Sequence, residues 1–217
     1  MIPRNRLYVK KEPTRDARLF IIYCEGKKRE SQYFKYFSGI SSQIRLEVES
    51  PEQEDDNSPT GLYRKAELQI CVTSENSNPK YELSNGDEVW FIIDTDTWND
   101  KIVQLRNDCM KHNWFVAQSN PCFEVWLFYH FYKFHEFEGM EISVNWKSFL
   151  NRKINGGFNS RKHSIYIQTA IKNSKEKYEK ENNEINIGST EVFKLAENFY
   201  PLVKQQIENA LSKIKFV

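Results

Sequence analysis

The sequence predicts an α/β fold, a Rossmann-like core with a largely parallel sheet flanked by helices, followed by a C-terminal helical appendage. Three observations predict it. Residues 19–24 (LFIIYC) and 89–93 (VWFII) are unbroken apolar runs, too short for a membrane span and typical of strands covered on both faces. Helix-like segments alternate with them, giving the order β-α-β-α-β-α-β. Each run also stops at an acid: Glu25 after the first, Asp94 and Asp96 after the second. In open α/β sheets ligands bind in the crevice beyond the carboxyl ends of the strands.

The elements follow in order. Residues 1–18 are polar and basic, with Arg4, Arg6, Lys10, Lys11, Arg15 and Arg18. This is either a solvated arm or one that touches phosphates. After strand 19–24, Gly26 permits a sharp turn, and a helix is expected over 28–37. Its Tyr33, Phe34 and Phe37 face inward, and Arg29, Glu30 and Lys35 face solvent. Residues 44–48 alternate as a half-exposed strand, and 49–59 form an acidic loop. A helix over 60–72 turns Leu62, Ala66, Leu68, Ile70 and Tyr63 inward. The Asn/Ser/Pro-rich stretch 74–86 leads into the central strand. Asn99 or Asp100 can cap a helix through Met110 that packs Ile102, Val103 and Leu105 on the sheet.

Residues 114–117 read as the next strand. Asn120 can cap, and Pro121 suits the first position of, a helix that begins directly after it and is apolar nearly all round. Glu124 is therefore an acid on a buried helix. A buried carboxylate needs a cation, either a metal or an arginine. Beyond residue 134 the pattern turns helical and polar. A short helix starts at 145, residues 151–159 form a Gly/Asn loop, and a basic amphipathic helix spans 160–178. A polar loop covers 179–188, and Ser189 or Thr190 caps a last helix to about 214. The expected organisation is a basic arm (1–17), an α/β core (18–134) and a helical region packed on it (135–217).

Composition bounds the rest. A 217-residue chain with 39% hydrophobic residues builds a core rather than a disordered ensemble. A net charge of +1 leaves any attraction to nucleic acid to local patches. Cys24, Cys71, Cys109 and Cys122 lie far apart without metal spacing, which reads as reduced, cytoplasmic and not membrane-bound. The chain lacks G-x-x-x-x-G-K-[ST] and G-x-S-x-G, which disfavours P-loop ATP hydrolysis and serine-hydrolase chemistry. His130 and His135 read as packed or exposed side chains, and His163 sits beside the basic pair Arg161 and Lys162.

Taken singly, an acid after a strand is as often a turn or cap residue as a ligand. Taken together, Glu25, Asp94, Asp96 and Glu124 leave three separate strands near one sheet edge. All-oxygen ligands suit Mg²⁺ or Mn²⁺. The chemistry that uses such a set is metal-assisted phosphoryl transfer.

Three blocks carry a resemblance: Y-C-E-G-K-K-R-E-x-x-Y-F, I-I-D-T-D and S-N-P-C-F-E-V-W-L-F-Y-H-F. They resemble the RloB-like proteins of AbiLii or abortive-infection type, a family similar to the Toprim superfamily of topoisomerases, primases and nucleases. The resemblance extends from about Arg18 to the segment 188–192, where either Gly188 stands at the family's proline or the register differs, so no role is carried there. It implies that Glu25 is the Toprim general base or metal ligand and that Asp94 and Asp96 are the D-x-D metal ligands. Asn120 and Glu124 match the family block, and a phosphate contact and a further metal position are our readings of them. Lys27, Lys28, Arg161 and Lys162 are candidate phosphate contacts, although lysines after a glycine are also ordinary surface residues. The expected function is a Mg²⁺- or Mn²⁺-dependent nuclease cutting DNA or RNA in anti-phage abortive-infection defence. The alternative is a non-catalytic binding or regulatory module acting through a partner such as an ATPase.

Overall fold

A computed structural model describes residues 8–14, 16–52, 55–73, 76–95, 98–133, 145–181 and 184–215. The long apolar runs form β1 (Arg18–Cys24) and β3 (Glu88–Asp94). The alternating segment forms β2 (Ile44–Glu49), and β4 is Phe115–Ser119. All pair in parallel in the order β2-β1-β3-β4, so the two doubly buried strands are central. The chain leaves β1 toward β2 on one side and returns to β3 on the other. The switch point of the sheet therefore lies between β1 and β3.

Alternate residues feed two cores, as the period of a strand requires. Leu19, Ile21, Tyr23, Val89, Phe91 and Ile93 face α2 (Pro59–Ile70) and α3 (Asn99–Met110). Phe20, Ile22, Cys24, Trp90 and Ile92 face the larger core. That core is built by α1 (Arg29–Lys35), α4 (Glu124–Phe128), α5 (Trp146–Lys153), α7 (Ile167–Lys177) and α8 (Val192–Lys215). The Rossmann-like layering is as expected, and α8 lies directly against the sheet through Phe199 and Phe20.

Several local expectations are corrected. In α3 the inward stripe is Ile102, Leu105 and Cys109, spaced i, i+3, i+7, which leaves Val103 55% exposed. Leu68 in α2 is likewise turned out. Trp98, not Asn99 or Asp100, precedes the first turn of α3 as its N-cap. No helix starts at Pro121. The Asn120–Pro121 bond is cis, the chain turns, and α4 begins only at Glu124 with Phe123 as its N-cap. The stretch 160–178 is not one helix but α6 (Ser160–His163), a 3₁₀ turn (Ser164–Tyr166) and α7. The loop 179–188 contains a short hairpin, β5 (Lys180–Glu181) with β6 (Glu184–Ile185). His130 is buried against the Tyr33 hydroxyl and the Trp126 carbonyl, and Arg4, Arg6, Arg15 and His135 lie outside the described residues.

The start of α8 is clamped to the open edge of β4. Glu191 N–H donates to the Gln118 carbonyl (2.7 Å), and Ser119 and Thr190 form an antiparallel bridge. The Glu191 carboxylate is 1% exposed and pairs with Arg106 and with Lys194 (2.8 Å), while Tyr178 Oη donates to it at 2.9 Å. Burial pushes this carboxyl up, but the two cations outweigh it and hold the group down at about 2. A depressed carboxyl contributes stability above its unfolded value, and that stability is lost as pH falls toward about 2. Glu191→Gln strands two cations at a buried site. It should cost about 3 kcal/mol and lower Tm by roughly 6–12 °C at pH 7. Thermal melts at pH 7 and pH 3 check this, because the deficit narrows in acid.

Candidate functional site at the carboxyl edge of the sheet

The carboxyl ends of β1, β3 and β4 converge on one edge, and the sequence places an acid at or just after each of them. Glu25 follows β1 and is nearly buried. Its Oε2 accepts the backbone N–H of Asp94 (2.9 Å) and its Oε1 accepts Trp98 Nε1–H (2.8 Å). In return, Glu25 N–H donates to the Ile92 carbonyl (3.1 Å). The carboxylate thus spans the switch point from β1 to the end of β3. Asp94, the last residue of β3, accepts the N–H of Phe123 through Oδ1 (2.8 Å). That bond seats the turn before α4 against the strand end. Thr95 N–H supports the same turn, reaching the carbonyls of Ser119 (2.9 Å) and Pro121 (3.0 Å).

Glu124, on the first turn of α4, lies 3.6 Å from Arg29 Nε on α1. Both readings of its partner had been open, and in this structure the arginine is the neighbour. Asp94 and Glu124 meet around Cys122, whose thiol is pushed up first by burial and then by these two carboxylates. Of the predicted acids, Glu25, Asp94 and Glu124 are thus brought to one edge, and Asp96 lies outside the described residues.

A fourth acid joins them that sequence reasoning turned the wrong way. Glu30 was expected at the solvent face of α1, yet it is 6% exposed. Its carboxylate folds back over Gly26, so closely that a Cβ at residue 26 would sit 2.1–2.4 Å from it. A side chain at residue 26 would push the Glu30 carboxylate out of this position. Burial pushes the Glu30 carboxyl up to about 7; its own backbone N–H pulls the other way, and Glu124 and Glu25 raise it further. The signal was present in the spacing: Glu25-Gly26 followed four residues later by Glu30 puts a second acid on the first turn of α1, beneath the glycine.

The basic candidates are arranged differently. Lys27 and Lys28 are exposed beside the acid edge. Arg161 and Lys162 are not in the acid group but on α6, across a groove from α1. That cavity, about 570 Å³, is lined by Gln32, Lys35, Phe158, Asn159 and Arg161. Gln32 lies one turn along α1 from Arg29, the neighbour of Glu124. Asn120 is occupied in holding the hairpin: Nδ2 donates to the Ile185 carbonyl (2.7 Å), and its backbone pairs with Gly188 and Ser189.

The donor chemistry fits a hard divalent cation, since a buried carboxyl crowded by two more is costly until positive charge arrives. The ligating geometry is not drawn in. Among the described residues, no three His, Cys, Asp or Glu side chains are grouped closely enough to hold a metal ion.

An α/β fold with acids across its switch point is the class this geometry defines. A family model described as RloB-like protein matches residues 20–199, so the chain belongs to the RloB-like family. No curated protein and no solved structure matches it. Among the described residues no helix is long and apolar enough to cross a membrane.

The raised Glu30 carboxyl makes a metal-free prediction. Folding holds its proton more tightly than the unfolded chain does, so stability is greatest below about pH 4.5 and falls as pH rises through about 7. The loss is about 3 kcal/mol at most. In EDTA, Glu30→Gln should abolish this part of the pH dependence and be the more stable protein at pH 8, read by urea unfolding at pH 5 and 8.

Proposed function

We propose that the chain is a Mg²⁺- or Mn²⁺-dependent phosphodiesterase of Toprim type, a nuclease that cuts DNA or RNA. The observation that carries this reading is the convergence of Glu25, Glu30, Asp94 and Glu124 at the carboxyl edge of the sheet, astride the switch point. A pair of these acids, Asp94 with Glu124 or Glu30 with Glu124, would hold metal together with Asp96, which lies outside the described residues. Bound there, a divalent ion would supply an activated water and neutralise charge on the leaving oxygen.

The chain's own groups take the other tasks. Glu25 is held by Asp94 N–H and Trp98 Nε1–H, so it fixes the relative position of β1 and β3 and is placed to accept a proton at the edge. Arg29 balances Glu124 in the metal-free protein. Lys27 and Lys28 at the edge, with Lys35 and Arg161 in the adjoining groove, would attract the phosphate backbone. A role in anti-phage abortive infection, and a partner such as a defence ATPase, rest on the resemblance of the three sequence blocks alone.

A second reading has its own observation. Glu25 is satisfied by protein donors and Glu124 by Arg29, as in a module whose acids are structural. Asp94→Asn separates the two, because the amide oxygen still accepts Phe123 N–H while the charge is gone. In the nuclease, cleavage of mixed DNA and RNA substrates with Mg²⁺ or Mn²⁺ falls to the EDTA background with the melting temperature preserved. In the module, wild type and variant behave alike with every metal.

Two further outcomes follow for the nuclease. Trp98→Phe removes the donor that orients Glu25 and should weaken metal-supported activity about 10- to 100-fold, the usual cost of losing an outer-shell partner. Arg161→Glu should weaken nucleic-acid binding and lower the salt slope by about one or two charges, leaving metal affinity unchanged. Binding measured against salt concentration in Ca²⁺ checks the latter.

A further inference from the structure

A second cavity, about 430 Å³, lies away from the acid edge, where α3 and the hairpin flank β4. That volume falls within the range of small-molecule sites. One wall is aromatic. The Phe115 ring stacks on Trp90 (centroids 4.8 Å apart, planes at 23°), and Phe115 is 40% exposed while Trp90 is buried beneath it. The outer ring is therefore a braced platform, and the exposed side chains of Val103 and Met110, on α3 at the other face of the sheet, line the same cavity. Exposed apolar groups gathered around one cavity, rather than scattered singly, mark a place where something docks.

Cations line the same cavity. Arg106, Lys180 and Lys194 all line the cavity, against the single carboxylate of Glu191. Glu191 pairs with Arg106 and Lys194 and holds them in place. Lys180 forms no ion pair among the described residues. Its ammonium is disfavoured first by burial and then by Arg106, Glu191 partly opposes this, and Lys194 adds to it. Three cations against one acid leave an excess of positive charge along the cavity, although Arg106 already donates to Glu191 and Gln118, and Lys194 to Glu191 and Tyr178.

An added peptide strand does not suit this place. Residues 188–191 already pair with β4 from Gln118 to Asn120. Gln118 turns its backbone outward, so of the remainder only Val116 does the same. One residue is too little for strand addition. A flat apolar ring carrying a phosphate matches the exposed aromatic ring and the cations that line the same cavity.

We propose that this cavity binds a nucleoside phosphate, its base stacked on Phe115 and its phosphate held by Lys180 together with Arg106 and Lys194. The shared chemistry is a phosphate monoester on a nucleoside, supplied either by a free mononucleotide or by the phosphorylated end of a strand. The site is independent of the acid edge and of any cleavage there.

The test is titration calorimetry of the full chain in EDTA with AMP, GMP, CMP and UMP, with a short 5′-phosphorylated oligonucleotide and its 5′-hydroxyl counterpart, and with inorganic phosphate. Saturable binding of at least one mononucleotide or of the phosphorylated end is expected. Both Phe115→Ala and Lys180→Glu should weaken it about tenfold or more, Lys180→Glu at an unchanged melting temperature and Phe115→Ala in a protein that still melts cooperatively after losing the ring over Trp90. Preference for the mononucleotide assigns a free ligand, and preference for the 5′-phosphorylated oligonucleotide over the 5′-hydroxyl one assigns a strand end. Three results overturn the proposal: no saturable binding, binding that neither substitution weakens, or inorganic phosphate binding as tightly as the nucleotides.

Discussion

The carboxylate of Glu25 closes the gap that the topology opens. In a parallel sheet whose chain departs in both directions from β1, the ends of β1 and β3 face a crevice instead of a crossover helix. Glu25 bridges that crevice by accepting Asp94 N–H, and it is itself oriented by the Trp98 indole. Asp94 then fixes the turn into α4 by accepting Phe123 N–H, and α4 brings Glu124 back over the edge. The acids are thus links in one chain of hydrogen bonds running from β1 to β3 to α4. That chain is what keeps like charges near one another, and Glu30 bears the electrostatic consequence.

The molecule deals with its buried charges in two ways. Glu191 is compensated, with Arg106 and Lys194 on its oxygens, and it locks α8 onto the edge of the sheet. Glu30 is only partly compensated: burial and two neighbouring acids raise its carboxyl more than its own backbone N–H and Arg29 lower it. A protein stabilises the first kind of site by its own cations. The second kind stores an unfavourable interaction that an external cation relieves, and such sites gather where function does. The same contrast separates the acid edge from the cationic cavity beside β4.

Much of the fold was legible because the strong signals are local. Continuous burial of 19–24 and 89–93 demands two covered faces, and acids at both exits mark the carboxyl edge. The misreadings have physical causes. Glu30 was turned to solvent because helical periodicity assigns polar residues outward, whereas this helix begins beneath the crevice and its first turn is covered by the glycine turn. Val103 and Leu68 were turned inward by hydrophobicity, but Ile102, Leu105 and Cys109 on α3 and Leu62, Tyr63 and Ala66 on α2 already fill the contacts with the sheet. Asn120 and Pro121 carry the usual helix-start signature, yet the strand end and the 188–189 segment claim the backbone of Asn120 first. The hairpin that completes the second cavity is two residues a side, too short for any periodicity to show.

The central claim is that the acids at the switch point form a divalent-cation site. Its most direct test is a crystal structure grown with Mn²⁺ and read by anomalous scattering. The account predicts a peak at the carboxyl edge between β1 and β3, within about 2.0–2.3 Å of oxygens from at least two of Glu30, Asp94 and Glu124. An edge without a peak in Mn²⁺-replete crystals, its carboxylates still held by Arg29, Phe123 and Trp98, would contradict it.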